Sequence, residues 1–206
     1  MGAIAIGCDL LVNAAGAWSS QIAALYGETL PITARRNQIF VIDRTPAPGR
    51  HLPLTIDLTT GFYLHSEGEG IVSGYAEAPE IPDAPATLGV DWDELPMLIE
   101  RIVHRLPELE TAKVTHAWAG FIETTPDDNP VVGWTHLANV YTVAGFSGHG
   151  MSLAPGLAPH IAADVMGGAP ALPLDIYRLE RFESGTVEPE GVWGGEGVSR
   201  GTQEAS

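Results

Sequence analysis

Apolar residues recur along this chain at two spacings, one of strands and one of helices, and the two alternate. Ala3 to Ile6 and Asp9 to Val12 are short apolar runs of strand length, and Asn13-Ala14-Ala15-Gly16 is small enough for a tight strand-to-helix turn. Trp18, Ile22, Ala23, Leu25 and Tyr26 then fall at near-helical spacing. They predict a short helix closed by Gly27, which takes left-handed geometry at no steric cost. Gln38 to Ile42, Leu52 to Ile56, Phe62 to Leu64 and Ile71 to Tyr75 read as strands, separated by clusters of Gly, Pro, Asp and Thr. The turn-like Glu67-Gly68-Glu69-Gly70 predicts that the last two pair as a hairpin, of the kind that walls a pocket.

The strongest helical pattern follows. Leu95, Leu98, Ile99, Ile102, Val103 and Leu106 form one apolar stripe, with Asp91 as cap, Glu94 completing a capping-box pattern and Pro107 ending it. Pro96 lies near the first turn, where a missing N–H is tolerated. Lys113 to Ile122 reads as a long strand, 125–130 as a polar turn, Val131 to Gly133 as a return strand and Val140 to Ala144 as another. Gly145-Phe146-Ser147-Gly148-His149-Gly150 then leads into an apolar helix running to Met166, bent by Pro155 and Pro159 and stopped by Gly167-Gly168. From Ser184 onward too few large apolar residues remain to offset ordering entropy, which predicts a mobile tail over 184–206. The whole pattern is that of an α+β chain.

Composition narrows what such a chain does. A hydrophobic fraction of 45% with 17% charged residues suits a globular protein of 206 residues. The net charge of −16 repels phosphate backbones and anionic lipid, which argues against nucleic acid as a partner. Cys8, the single cysteine, reads as a small buried hydrophobe and cannot form an internal disulfide. With no run of membrane-spanning length, the expectation is a soluble cytoplasmic protein.

Few residues carry candidate chemistry. A strand ending in close-set glycines before a helix lets backbone N–H groups approach a planar or anionic ligand, and equally lets a helix pack tightly on a sheet. Within that turn, His149 suits either a donor to a ligand carbonyl or a bond that fixes the turn. Tyr63 suits either a phenol pointed into a cavity or a half-buried strand residue. Arg35 and Arg36 suit either attraction of a carboxylate or a surface pair, and Asp127 and Asp128 are explained by Asx bonding within their turn. The seven histidines form no metal-ligand spacing, so no metal is expected.

Four ordered segments carry a resemblance. These are 12–19 (Val-Asn-Ala-Ala-Gly-Ala-Trp-Ser), Arg36-Asn37-Gln38, 118–133 with its Thr125-Pro126-Asp127-Asp128-Asn129-Pro130 core, and 145–151. Together they resemble the FAD-dependent family of D-amino-acid oxidase, glycine oxidase and sarcosine oxidase, across residues 12 to about 166. The resemblance implies an FAD/NAD(P)-binding-type fold: an α/β flavin-domain remnant over 1–27 and 130–183, and a strand-rich substrate domain over 28–129. It implies FAD contacts at Ala15, Gly16, Gly145, Phe146, Ser147, Gly148, His149, Gly150 and Met151, with Tyr63 and His149 as catalytic candidates.

Two departures bear on substrate. Met151-Ser152 stands where monomeric sarcosine oxidases place a lysine, and Phe121-Ile122-Glu123 replaces the arginine segment of D-amino-acid and glycine oxidases. Glu123 to Asp127 is more similar to sarcosine and dimethylglycine dehydrogenases and multisubunit sarcosine oxidases, which implies a secondary or tertiary amine substrate. No G-x-G-x-x-G occurs in the chain, so the amino-terminal Rossmann half of the fold is expected to be lacking. The expected function is therefore that of a fragment or split subunit oxidising a C–N bond by hydride transfer to flavin, with a separate amino-terminal FAD-binding chain as candidate partner. The alternative is a non-enzymatic binding subunit or inactive fragment that holds no flavin.

Overall fold

The computed structural model describes residues 5–43, 51–75, 80–81, 84–85 and 87–183, so the tail expected from Ser184 and the start of the first apolar run at Ala3 lie outside the described residues. The first elements are β1 (Leu11–Asn13), α1 (Ser19–Leu25), β2 (Thr33–Asp43), β3 (Thr55–Ile56), β4 (Phe62–Glu67), β5 (Gly70–Tyr75) and β6 (Glu80–Ile81). There follow α2 (Leu95–Arg105), β7 (Val114–Thr124), β8 (Val131–Trp134), β9 (Val140–Ala144) and α3 (Gly150–Val165). The chain divides into two compact units, with boundaries at 34/35 and 121/122. Residues 28–34 and 122–129 thus pack with the first unit, inside the boundaries expected from sequence.

In the first unit, described over 5–34 and 122–183, a three-stranded sheet runs β1-β9-β8. β1 pairs in parallel with β9, and β8 antiparallel with β9. Val132, Tyr141, Leu157 and Leu174 form one core, and Ala23, Leu30, Ile32, Val131 and Ala144 a second. The turn after β1 is fixed by buried Asn13, whose amide donates to the Ser19 carbonyl (2.9 Å) and the Tyr26 hydroxyl (3.0 Å). Those two bonds satisfy a polar side chain that would otherwise be costly to bury.

In the second unit a six-stranded sheet runs β3-β4-β5-β2-β6, with β7 also pairing β2. Phe40, Ile42, Phe62, Leu64 and Ile71 alternate onto one face and meet Leu98 and Ile102 of α2, which are 0% and 1% exposed. The β4–β5 hairpin closes from Glu67 opposite Gly70 through a two-residue turn whose Gly68 has φ +53°.

Several elements differ from the sequence expectation for local reasons. β1 starts only at Leu11, and Ile6 and Cys8 are exposed, which corrects the reading of Cys8 as buried. Of Leu52 to Ile56 only Thr55–Ile56 is strand: Leu52 instead bonds Ser66, its N–H to the hydroxyl and its carbonyl from the N–H. β2 begins at Thr33 rather than Gln38. Asp91 caps a 3-10 turn ahead of α2, but Glu94 closes no capping box, because its carboxylate accepts from the Gln38 amide.

Candidate functional site

The glycine-rich turn is a strained backbone held from beneath. Gly145, Ser147 and Gly148 have φ of +75°, +50° and +82°, the left-handed region that side chains avoid. Ser147 tolerates it because its N–H donates to the Glu123 carbonyl (3.0 Å), while its hydroxyl accepts from Thr125 N–H and donates to the Gly145 carbonyl, both at 3.3 Å. A Cβ at Gly145 would lie 2.6 Å from Thr125 Cγ2 and 3.3 Å from Ile32 Cδ1, so this glycine is required for packing. At Gly148 such a Cβ would meet only Ile122, 3.9 Å away in ordinary van der Waals contact, and the residue is exposed.

α3 starts at this turn with no acidic residue in its first turn, no basic residue in its last and no side-chain cap. The N–H groups of Gly148, Gly150 and Met151 donate to no acceptor among the described residues. Such groups gather at the positive end of a helix dipole and suit an anionic or carbonyl oxygen. His149 is the N-cap; its N–H donates to the Phe146 carbonyl (2.8 Å), and its carbonyl accepts from Ser152 and Leu153.

Gly16, with φ +54°, shares an open groove of about 530 Å³ with Ala14, Glu123, Phe146, Ala154 and Ala158. Small residues from both ends of the first unit therefore meet along one surface, which suits an elongated flat ligand. Glu123, which in sequence stands out only as part of the segment replacing the family's arginine, places its carboxylate 3.8 Å from where a Cβ at Gly16 would lie. Among the expected contacts, Gly16 and Phe146 line the groove and Ala15 adjoins it. Gly148, Gly150 and Met151 present N–H groups, whereas the Ser147 side chain and the Gly145 backbone serve the turn itself. The Met151 side chain is 94% exposed.

The polar turn at 125–130 is more firmly anchored than Asx bonding alone requires. Asp127 accepts from Asn129 N–H (3.2 Å) and the Thr125 hydroxyl (3.1 Å), and takes a two-pronged pair from Arg181 at 2.7 and 3.0 Å. Burial raises the Asp127 pKa, but the Arg181 pair together with the bonds from Asn129 and Thr125 outweighs it and holds the carboxyl below the usual aspartate range. Asp164, bonded to Arg178 at 2.9 Å, accepts from the Tyr141 hydroxyl at 2.8 Å. Burial, followed by that bond, pushes the phenol well above its ordinary value.

Tyr63 belongs to the second unit, half-buried on β4. Arg35 pairs with Glu80 and Arg36 with Asp91, each at 3.1 Å, which accounts for both arginines structurally. Among the described residues no cluster of three His, Cys, Asp or Glu is placed to hold a metal, and no helix is long and apolar enough to cross a membrane.

Comparison with known proteins identifies the family of the chain. The FAD dependent oxidoreductase family profile matches residues 2–163. The chain is 36% identical over 200 residues to FAD-dependent oxidoreductase domain-containing protein 1 of Bos taurus, covering 89% of this chain and 41% of that protein. It is 28% identical over 187 residues to mitochondrial dimethylglycine dehydrogenase of Homo sapiens, covering 82% and 21%. The structure of L-proline dehydrogenase from P. horikoshii superposes with a TM-score of 0.73 at 29% identity, over 87% of this chain and 48% of that one. The chain thus spans half or less of the length of these relatives. With its α+β fold and the match over most of its length, this chain belongs to the FAD-dependent oxidoreductase family, whose cofactor is FAD.

Proposed function

We propose that this chain supplies the ring-binding and substrate-binding parts of an FAD-dependent oxidoreductase that oxidises the C–N bond of an amino acid or N-methylated amine. The observation that carries the reading is the turn at 145–150, where three N–H groups without described acceptors gather at the start of a sixteen-residue helix. FAD, when bound, supplies the hydride acceptor for that oxidation. Gly148, Gly150 and Met151 would hold the polar edge of the ring system by their N–H groups, and Gly16 and Phe146 would line its approach. Preorganised donors of this kind stabilise growing negative charge without reorganising, by about 0.3–1 kcal/mol for a helix terminus and more when buried.

The substrate class rests on two supports. Neither family anchor for a carboxylate is present, since Met151-Ser152 and Phe121-Ile122-Glu123 stand in their places. Two relatives are named for a tertiary and a secondary amine, dimethylglycine and L-proline. We therefore favour a secondary or tertiary amine, with Tyr63 facing it from the substrate domain. The phosphates of FAD require a glycine loop that this sequence lacks, so we assign them to a separate segment carrying G-x-G-x-x-G after a strand. The test is anaerobic mixing of the flavin-loaded protein with dimethylglycine, sarcosine or L-proline. Bleaching of the flavin band by one of them is expected, and a band that persists with all three and with primary amino acids would reject the reading.

A further inference from the structure

The open groove beside Gly16 carries a single charge. Its described lining is otherwise alanine, glycine, valine, isoleucine and phenylalanine, all in the first unit, and Glu123 supplies the one polar side chain among them. Glu123 lies one residue before the end of β7, and the alternation of the strand sets it on the side opposite Ile122. The two side chains accordingly reach different places. Ile122 lies 3.9 Å from where a Cβ at Gly148 would be, and the Glu123 carboxylate 3.8 Å from the same position at Gly16. The Glu123 carbonyl accepts the Ser147 N–H at 3.0 Å. Glu123 is thus bonded to the turn through its backbone and presents its carboxylate to Gly16.

A carboxylate on an apolar wall calls for donors. The Glu123 side chain has no hydrogen bond or ion pair among the described residues. The two arginines of the described first unit are engaged elsewhere, Arg178 with Asp164 at 2.9 Å and Arg181 with Asp127 at 2.7 Å. Charge also decides which part of FAD suits this spot. The phosphates are anions and the ring gains negative charge on reduction, so a carboxylate repels both. The ribityl chain that joins them is neutral. It carries hydroxyl donors on a carbon chain, which match one carboxylate set in an apolar wall.

We infer that Glu123 is a binding residue for the ribityl hydroxyls of FAD, which donate to its carboxylate beside Gly16. This rests on the flavin ring lying at the turn 145–150, as proposed above. Hydroxyl bonds to a carboxylate are short and about twice as strong as neutral ones. The contact therefore adds affinity and fixes the course of the cofactor between its ring and its phosphates.

The test compares two flavins that lack phosphate, so that no phosphate-binding loop is needed. Riboflavin carries the ribityl chain, and lumiflavin has a methyl group in its place. Each is titrated into the full 206-residue chain and followed by quenching of flavin fluorescence. Wild type is expected to bind riboflavin more tightly than lumiflavin. Glu123→Leu is expected to weaken riboflavin about tenfold and leave lumiflavin within about twofold, with Glu123→Gln between the two. An unchanged ratio of the two affinities in Glu123→Leu would overturn the inference. Equal weakening of both flavins would overturn it too, and would point to a cation from another segment as the partner of Glu123. If Glu123→Leu does not fold, Glu123→Gln decides: a loss confined to riboflavin supports the inference, and an unchanged ratio overturns it. Failure of lumiflavin to bind wild type would instead remove the ring from the turn at 145–150, and this inference with it.

Discussion

Gly145 and Gly148 stand three residues apart with nearly the same backbone angle, yet they answer to different demands. A methyl group at Gly145 adds a clash with Thr125 to left-handed strain, so Gly145→Ala is expected to cost about 2–4 kcal/mol, read as a lowered denaturation midpoint. Gly148→Ala carries only the strain, about 1–2 kcal/mol, but sets a methyl group on the exposed turn beside its N–H groups. Flavin content measured beside stability is expected to fall further for Gly148→Ala than for Gly145→Ala at matched stability. The sequence made this turn legible because glycine spacing is a local signal. It could not separate the two glycines, because the atoms that distinguish them, in Ile32, Ile122 and Thr125, come from distant segments. Glu123 was hidden for the same reason: nothing beside it in sequence indicates that it faces Gly16.

At the level of elements, the long periodic segments were legible and the short ones were not. The stripe that predicts α2 is the one that buries Leu98 and Ile102 against the sheet, and β9 occupies Val140–Ala144 as its apolar run requires. β2 reaches back to Thr33 because ion pairs from Arg35 and Arg36 let polar residues join a strand, a tertiary effect that propensity cannot register. Pro53 has no N–H to give a ladder, and Leu52 turned to Ser66, so β3 shrank to two residues. For α2, Leu98→Ala is expected to cost about 2–5 kcal/mol, since its side chain is fully buried. Amide hydrogen exchange is expected to place that loss in the second unit, with β9 and α3 protected as before.

For the molecule as a whole, the Arg181–Asp127 pair makes acid stability specific. Asp127 has a folded-state pKa below the ordinary value of 3.8, so its contribution is complete above that value and disappears as pH falls through the folded one. Wild type is therefore expected to lose stability below about pH 4 more steeply than Asp127→Asn. Arg181→Met leaves a buried carboxylate without its partner and is expected to cost about 3 kcal/mol at neutral pH, and less in acid, where Asp127 is neutral. Thermal melts across roughly pH 2 to 7, which brackets that titration, give both results.

The family and the mixed fold were readable from the order of four motifs. The division at 34/35 and 121/122 was not, because the residues flanking the motifs join the first unit through packing of Leu30, Ile32 and Thr124. The central claim is that the turn at 145–150 receives the flavin ring in a protein whose phosphate-binding loop lies on another segment. It is tested most directly by the visible spectrum of the chain purified with an amino-terminal segment bearing G-x-G-x-x-G, for wild type and Gly148→Val. Bound flavin bands in wild type and their loss in a folded Gly148→Val variant are the expected result. Equal flavin content in the two would contradict the assignment.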